Sequence, residues 1–170
     1  MKFCRRCGAA LARKTNHSFV CKNGHIIYLN AAPAVGIFLV NADKEILIAK
    51  RAIEPCKGSL DSPGGFCDGA ETLETALARE LQEEIGISPA SYSQPQFLSS
   101  GIDNYDFGGE TLLNLSVMFW ARIQPGVSLK PADDVAAVSF VPYDQLDISS
   151  IAFPAVRQAA RVLQTILKKQ

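Results

Sequence analysis

Three glutamates, Glu80, Glu83 and Glu84, crowd behind a lone Arg79 in the run Gly65-Phe-Cys-Asp-Gly-Ala-Glu-Thr-Leu-Glu-Thr-Ala-Leu-Ala-Arg-Glu-Leu-Gln-Glu-Glu-Ile-Gly-Ile87. On an α-helix each residue turns by about 100°. With Leu77 set at zero, Leu73 and Leu81 fall within about 40° and form the buried stripe, while Glu84 lies about 20°, Glu80 about 60° and Glu83 about 120° away. Carboxylates at i, i+3 and i+4 share a face and can converge on one point. A solvated acidic face is the ordinary reading of such a run, but this one borders the core stripe. Like charges partly withdrawn from water repel one another unless a cation joins them. Carboxylate oxygens suit a hard divalent ion, so the pattern points to Mg²⁺ or Mn²⁺ on Glu80 and Glu84, with Glu83 beside them.

A second set lies near the N-terminus. Cys4 and Cys7 are a Cys-x2-Cys pair, and Cys21 and His25 follow as Cys-x3-His. Two such knuckles read as ligands of a tetrahedral structural Zn²⁺, with His17 the alternative to His25 as fourth ligand. A segment this short and poor in apolar mass needs such a staple to fold. Residues 1–30 contain Lys2, Arg5, Arg6, Arg13, Lys14 and Lys22 and no Asp or Glu, although the whole chain has a formal net charge of zero. The compositional break near Asn30 predicts two modules, 1–30 and 31–170. The basic segment has few aromatics for stacking on bases, so a structural appendage is a better reading than a nucleic-acid surface. Cys56 and Cys67 lie apart from both sets and are read as unliganded.

The acidic run resembles the Nudix box of the Nudix hydrolases, whose pattern is G, five residues, E, seven residues, R-E-U-x-E-E-x-G-U, with U a bulky aliphatic. Gly65, Glu71, Arg79, Glu80, Leu81, Glu83, Glu84, Gly86 and Ile87 fill its fixed positions. The N-terminal segment is similar to the zinc ribbon ahead of some Nudix domains, notably in NADH pyrophosphatase-related and ADP-ribose pyrophosphatase-like members. Those ribbons usually carry four cysteines; here Gly24 stands in the place of the fourth and His25 follows it.

The resemblance implies a metal-dependent hydrolase that cleaves the pyrophosphate bond of a nucleoside diphosphate linked to another moiety, of ADP-ribose, sugar-nucleotide or dinucleotide type. Glu83, least shielded by the apolar stripe, is the expected general base, and Arg79 is expected to orient a glutamate of the box. Glu71 precedes the helix and is expected to support the ligands from behind. The Gly65 carbonyl is positioned to complete a metal's shell. Arg51, and more weakly Glu54, are candidates for holding substrate phosphate, and Phe66, Tyr105 and Phe107 for stacking on a base. Many relatives carry an acidic residue at the place of Ala136. The Ser-Gln-Pro-Trp-Pro-Phe-Pro-x-Ser signature of NADH pyrophosphatases is missing, since the corresponding stretch reads Ser99-Ser100-Gly101-Ile102-Asp103-Asn104-Tyr105. Two other readings stand beside this one: a non-catalytic nucleotide-sensing module, and RNA-cap or nucleic-acid-end processing aided by the basic ribbon.

The elements that must position these groups are legible as well. Pro33–Val40 and Glu45–Arg51 read as a strand hairpin, and a short strand precedes Pro63-Gly64-Gly65. Thr72 is the expected N-cap of the box helix and Gly86 its terminator. Further strands are expected at about Gln96–Asp103, Leu112–Ile123 and Val135–Val141, with a polar connection over Asp103–Thr111. Pro154–Lys169 keeps helical spacing of Val156, Ala159, Ala160, Leu163, Ile166 and Leu167. The result is an α+β fold, a Nudix-type α/β/α sandwich with a mixed sheet, preceded by a small zinc ribbon. No apolar run approaches the roughly 18 residues that would span a membrane. The opening residues form no signal peptide, so the expected location is cytoplasmic. Family resemblance adds a possible homodimer.

Overall fold

Alternation along two strands explains the layering. In β4 (Ala32–Val40) and β5 (Glu45–Arg51), Val35, Ile37, Leu39 and Leu47 face one way, and Phe38, Val40, Ile46 and Ile48 the other. Both faces are therefore apolar, and each demands a helix to cover it. The computed structural model describes residues 2–170, apart from the side chain of Phe107. It divides into two compact units, Met1–Ala31 and Ala32–Gln170.

The smaller unit is a three-stranded antiparallel sheet in the order β1 (Leu11–Arg13), β2 (Ser18–Cys21), β3 (Ile26–Tyr28). Its buried apolar cluster consists of Cys4, Cys21 and Ile27, flanked by Ala9 and Leu11. A core of that size cannot offset the chain entropy of its own folding.

The larger unit is built on a six-stranded mixed sheet. Its order is β6 (Leu60–Asp61), β5, β4, β8 (Glu110–Arg122), β7 (Gln96–Phe107), and β9 (Val135–Pro142) pairs with β5. β4 and β8 run parallel, and the other pairs are antiparallel. Helix α1 (Leu73–Ile85) covers one face through Ala76, Leu77, Leu81 and Ile85. Helix α2 (Pro154–Lys168) covers the other through Val156, Ala159, Ala160, Leu163 and Leu167. This is the expected sandwich.

One expectation is corrected. The stretch Asp103–Thr111 is strand, not a connection: β7 and β8 stay paired through Asp106↔Thr111 and Phe107↔Glu110. Only Gly108 and Gly109 form the turn, both with positive φ (60° and 81°), as the mirror-image hairpin turn requires. The projecting tip is exposed, so polar residues there conflict with nothing.

Candidate active site and a cysteine–histidine cluster

Helix α1 begins and ends as its sequence dictates. The Thr72 side chain accepts the Thr75 N–H at 3.3 Å while the Thr75 hydroxyl accepts the Thr72 N–H at 2.9 Å. At the other end Gly86 adopts the left-handed conformation and its N–H returns to the Leu81 carbonyl. The loop before the helix is laid along β4: Val35 N–H donates to Gly65 O, Ile37 N–H to Pro63 O and Cys67 N–H to Pro33 O. Gly64 makes this approach possible. At φ 137°, a Cβ there would stand 2.2 Å from the Val35 carbonyl oxygen.

Burial of the glutamates follows their angular order. Glu84 is 5% exposed, and the side chains of Glu80 and Glu83 are 13% and 47% exposed. Glu84 Oε2 accepts the Gly64 N–H at 2.7 Å. Burial raises its pKa to about 8, against the opposing Gly64 bond and with the help of the Glu80, Asp61 and Asp134 charges. Glu80 is raised too, again first by burial, with Arg79 opposing. A carboxyl that resists ionisation among other carboxyls is suited to a cation, which supplies the charge that water no longer does.

Arg79 gathers this corner. Its Nε and Nη2 each donate at 2.9 Å to one oxygen of Glu71, a bidentate pair, and Nη2 also donates to the Phe66 carbonyl at 2.9 Å. Nη1 donates to Glu80 Oε1 at 2.8 Å and Glu83 Oε2 at 3.0 Å. Hydrogen bonds from Arg79 hold Glu71 down to a pKa of about 2. The expected convergence of carboxylates thus takes place, for Glu80 and Glu83, on the guanidinium, while Glu84 turns to the Gly64 amide.

All three glutamates line one cavity of about 300 Å³, together with Gly65, Asp61, Asp133, Asp134, Arg51, Phe66, Tyr105, Asn114 and Ser116. The donor set is almost wholly carboxylate oxygen, which fits Mg²⁺ or Mn²⁺ and not a softer metal. The Gly65 carbonyl already accepts from Val35, leaving one lone pair. A Cβ on Gly65 would meet Glu80 Oε1 at 2.5 Å, so the glycine is what lets this carboxylate lie against the backbone.

Arg51 reaches the same cavity, but Nη1 is paired with Asp61 at 2.9 Å and Nε donates to the Pro55 carbonyl at 2.8 Å. Its guanidinium sits 5.0 Å from the centre of the Phe153 ring, and Nη2 is buried. Burial lifts Asp61 to a pKa of about 6 against the pull of Arg51. Glu54 is exposed, outside the cavity lining, and accepts the Lys57 amide at 3.4 Å. Ala136 is exposed, and Asp133 and Asp134 just before it line the cavity. Phe66 packs edge-on to Tyr105 at 5.2 Å. The side chain of Phe107 lies outside the described residues.

In the smaller unit, ligand atoms of Cys4, Cys7, Cys21 and His25 all lie within 4.8 Å of one another. Cys7 Sγ is 3.8 Å from Cys21 Sγ, and Cys4 Sγ is 3.6 Å from His25 Nδ1. The edge of a thiolate tetrahedron with Zn–S bonds of about 2.3 Å is about 3.8 Å, so the cluster has the dimensions of a zinc site. The Ala9 amide directed at Cys7, helped by Asn23, His25 and Cys4 against burial, brings its thiol down to about 6, which favours the thiolate a metal needs. His17 instead stacks on Tyr28 at 5.9 Å. Cys56 and Cys67 are free and stand outside the cluster.

A mixed sheet between two helices, with an acidic cavity where the loop before α1 meets β4, defines the class. Residues 30–165 match the NUDIX domain family, and the chain belongs to it. It is a Nudix pyrophosphohydrolase, of a family that depends on divalent metal. The chain is 34% identical over 127 residues to the ADP-ribose pyrophosphatase of Methanocaldococcus jannaschii, which covers 75% of this chain and 70% of that protein. It is 34% identical over 91 residues to the human mitochondrial NAD(P)H pyrophosphatase NUDT13, a match spanning 53% of this chain and 26% of the human one. In fold it is similar to a crystal structure of a NUDIX hydrolase from Nitrosomonas europaea, with TM-score 0.73 and 23% identity over 100% of this chain and 94% of the other. Among the described residues no helix is long and apolar enough to cross a membrane.

Proposed function

We propose that this chain hydrolyses the pyrophosphate bond of a nucleoside diphosphate joined to a second moiety, with ADP-ribose the leading substrate. The observation that carries the reading is a single cavity lined by Glu80, Glu83 and Glu84, with Arg79 and Glu71 bracing them. The archaeal relative's name supports ADP-ribose. Glu80, Glu84, the remaining lone pair of the Gly65 carbonyl and one oxygen of Glu83 would hold Mg²⁺ or Mn²⁺. Such ions, when bound, offset phosphate charge and acidify the attacking water. Glu83 is the proton acceptor: its side chain is the most exposed of the three, and Arg79 fixes one of its oxygens while leaving the other open. Arg79 positions Glu71, Glu80 and Glu83 without touching substrate. Arg51, paired with Asp61 and set over the Phe153 ring, is the candidate to meet a substrate phosphate from the cavity wall.

Residues 1–30 form a zinc ribbon on Cys4, Cys7, Cys21 and His25, and residues 31–170 the hydrolase domain, on this reading. The test is Glu83→Gln, assayed with Mg²⁺ or Mn²⁺ on ADP-ribose, NADH and sugar-nucleotides. Loss of a general base predicts a fall in kcat of about 10²–10⁴-fold. Unchanged turnover of every wild-type substrate would sink the mechanism.

A further inference from the structure

The cavity wall contains a buried hydrogen-bond acceptor whose orientation is fixed by a chain of bonds that starts outside the cavity. Asn114 on β8 lines it and is 8% exposed, yet its carbonyl Oδ1 has no donor among the described residues. A buried polar atom without a partner calls for an explanation, since leaving it so is costly. The neighbouring bonds supply one. Asp103, directly opposite Asn114 across the β7–β8 pair, accepts the Ala155 N–H at the start of α2 with Oδ1, at 3.1 Å. Its Oδ2 accepts the Ser116 hydroxyl at 3.2 Å. A hydroxyl has one proton, so Ser116 meets Asn114 with its oxygen only. That oxygen accepts from Asn114 Nδ2 at 3.3 Å. The amide is therefore set with its NH₂ turned to Ser116, and its carbonyl is left for something else. In an isolated asparagine the two ends are interchangeable; here the chain from helix α2 through Asp103 and Ser116 decides between them.

We infer that Asn114 is a specificity-determining residue: its Oδ1 accepts a hydrogen bond from an N–H or O–H donor of the bound nucleotide. Asp103 and Ser116 are positioning residues that keep the amide from turning over. The inference rests on the proposed function in that it takes the cavity to be the nucleotide site. Two parts of a nucleotide carry such a donor, the exocyclic amine of the base and a ribose hydroxyl.

The test compares ADP-ribose with its inosine analogue, which replaces the amine by a carbonyl, and with its deoxyribose analogues. Wild type should lose about 10–10²-fold in kcat/KM on the one analogue that lacks the donor, because a site built around a polar partner rejects a ligand without it. Asn114→Ala should fall to that same level on ADP-ribose and no longer distinguish the pair. Ser116→Ala frees the amide to turn, and should narrow the ratio by accepting the carbonyl analogue while still turning over both. General destabilisation lowers all substrates together and leaves the ratios alone, so the ratio separates recognition from folding. The same ratios are read in equilibrium binding to the Glu83→Gln protein in Mg²⁺. Discriminating binding by Glu83→Gln together with no hydrolysis by the wild type would overturn the proposed reaction and uphold the role of Asn114. A ratio unchanged by Asn114→Ala, in turnover or in binding, overturns that role whatever the reaction.

Discussion

Arg79 has no hydrogen left to give. Its three nitrogens together make five hydrogen bonds, to Glu71, Glu80, Glu83 and the Phe66 carbonyl, which is the full capacity of a guanidinium. A lysine, with one nitrogen and three donors, cannot reproduce that fork. The Glu71 pair also has a pH signature. Its folded pKa is about 2, below the ordinary value, so its contribution to stability is present above about pH 4.5 and fades as pH falls toward 2. Denaturation of wild type and Glu71→Gln should show a constant gap from pH 7 down to about 5, closing at lower pH. A gap that widens in acid would contradict the assignment. Among single residues, the helix positions were the most legible: the angular reading ranks Glu84, Glu80 and Glu83 in the order in which they are buried. Asp61 and Asn114 were not legible as site residues. They reach the cavity through strand pairings that no local periodicity encodes. For Asn114 the missing signal was the β7–β8 register, hidden once Asp103–Thr111 is read as a loop.

At the scale of elements, the strand–loop–helix passage through Gly64 and Gly65 separates stability from catalysis. A methyl group on Gly64 would strike backbone, the Val35 carbonyl, in a conformation that L-residues rarely adopt. Gly64→Ala should therefore cost about 2–4 kcal/mol in urea denaturation, as strain at a special φ/ψ does. On Gly65 the same methyl meets the end of a flexible side chain, Glu80. Gly65→Ala should leave the denaturation midpoint nearly unchanged and lower turnover, by pushing one carboxylate away from its place. Equal loss of stability in both variants would contradict this account. Helix ends, hairpin and sandwich layers were legible because caps and period-two alternation are local signals. The capping of α2 by Asp103 was not, because the cap comes from a residue 52 positions earlier.

At the scale of the whole molecule, the two units differ in what makes them fold. The larger has an apolar layer on each face of its sheet. Among its described residues the smaller has three buried apolar side chains, two of them cysteines that also belong to the ligand cluster. Zinc should therefore be integral to it, and colorimetric release from the full chain should give about one ion per chain. Cys4→Ser or His25→Ala should abolish or weaken retention, while His17→Ala, Cys56→Ser and Cys67→Ser should keep it. Retention lost with His17→Ala and kept with His25→Ala would reverse the choice of fourth ligand.

The cavity's charge has its own consequence. Seven carboxyl groups face two guanidiniums there, and both guanidiniums are already engaged with aspartate or glutamate. An unescorted diphosphate meets a repulsive mouth and is turned back before shape is read. On the proposed reaction, selection begins in the surrounding solution, with the counter-ions a nucleotide carries when it arrives.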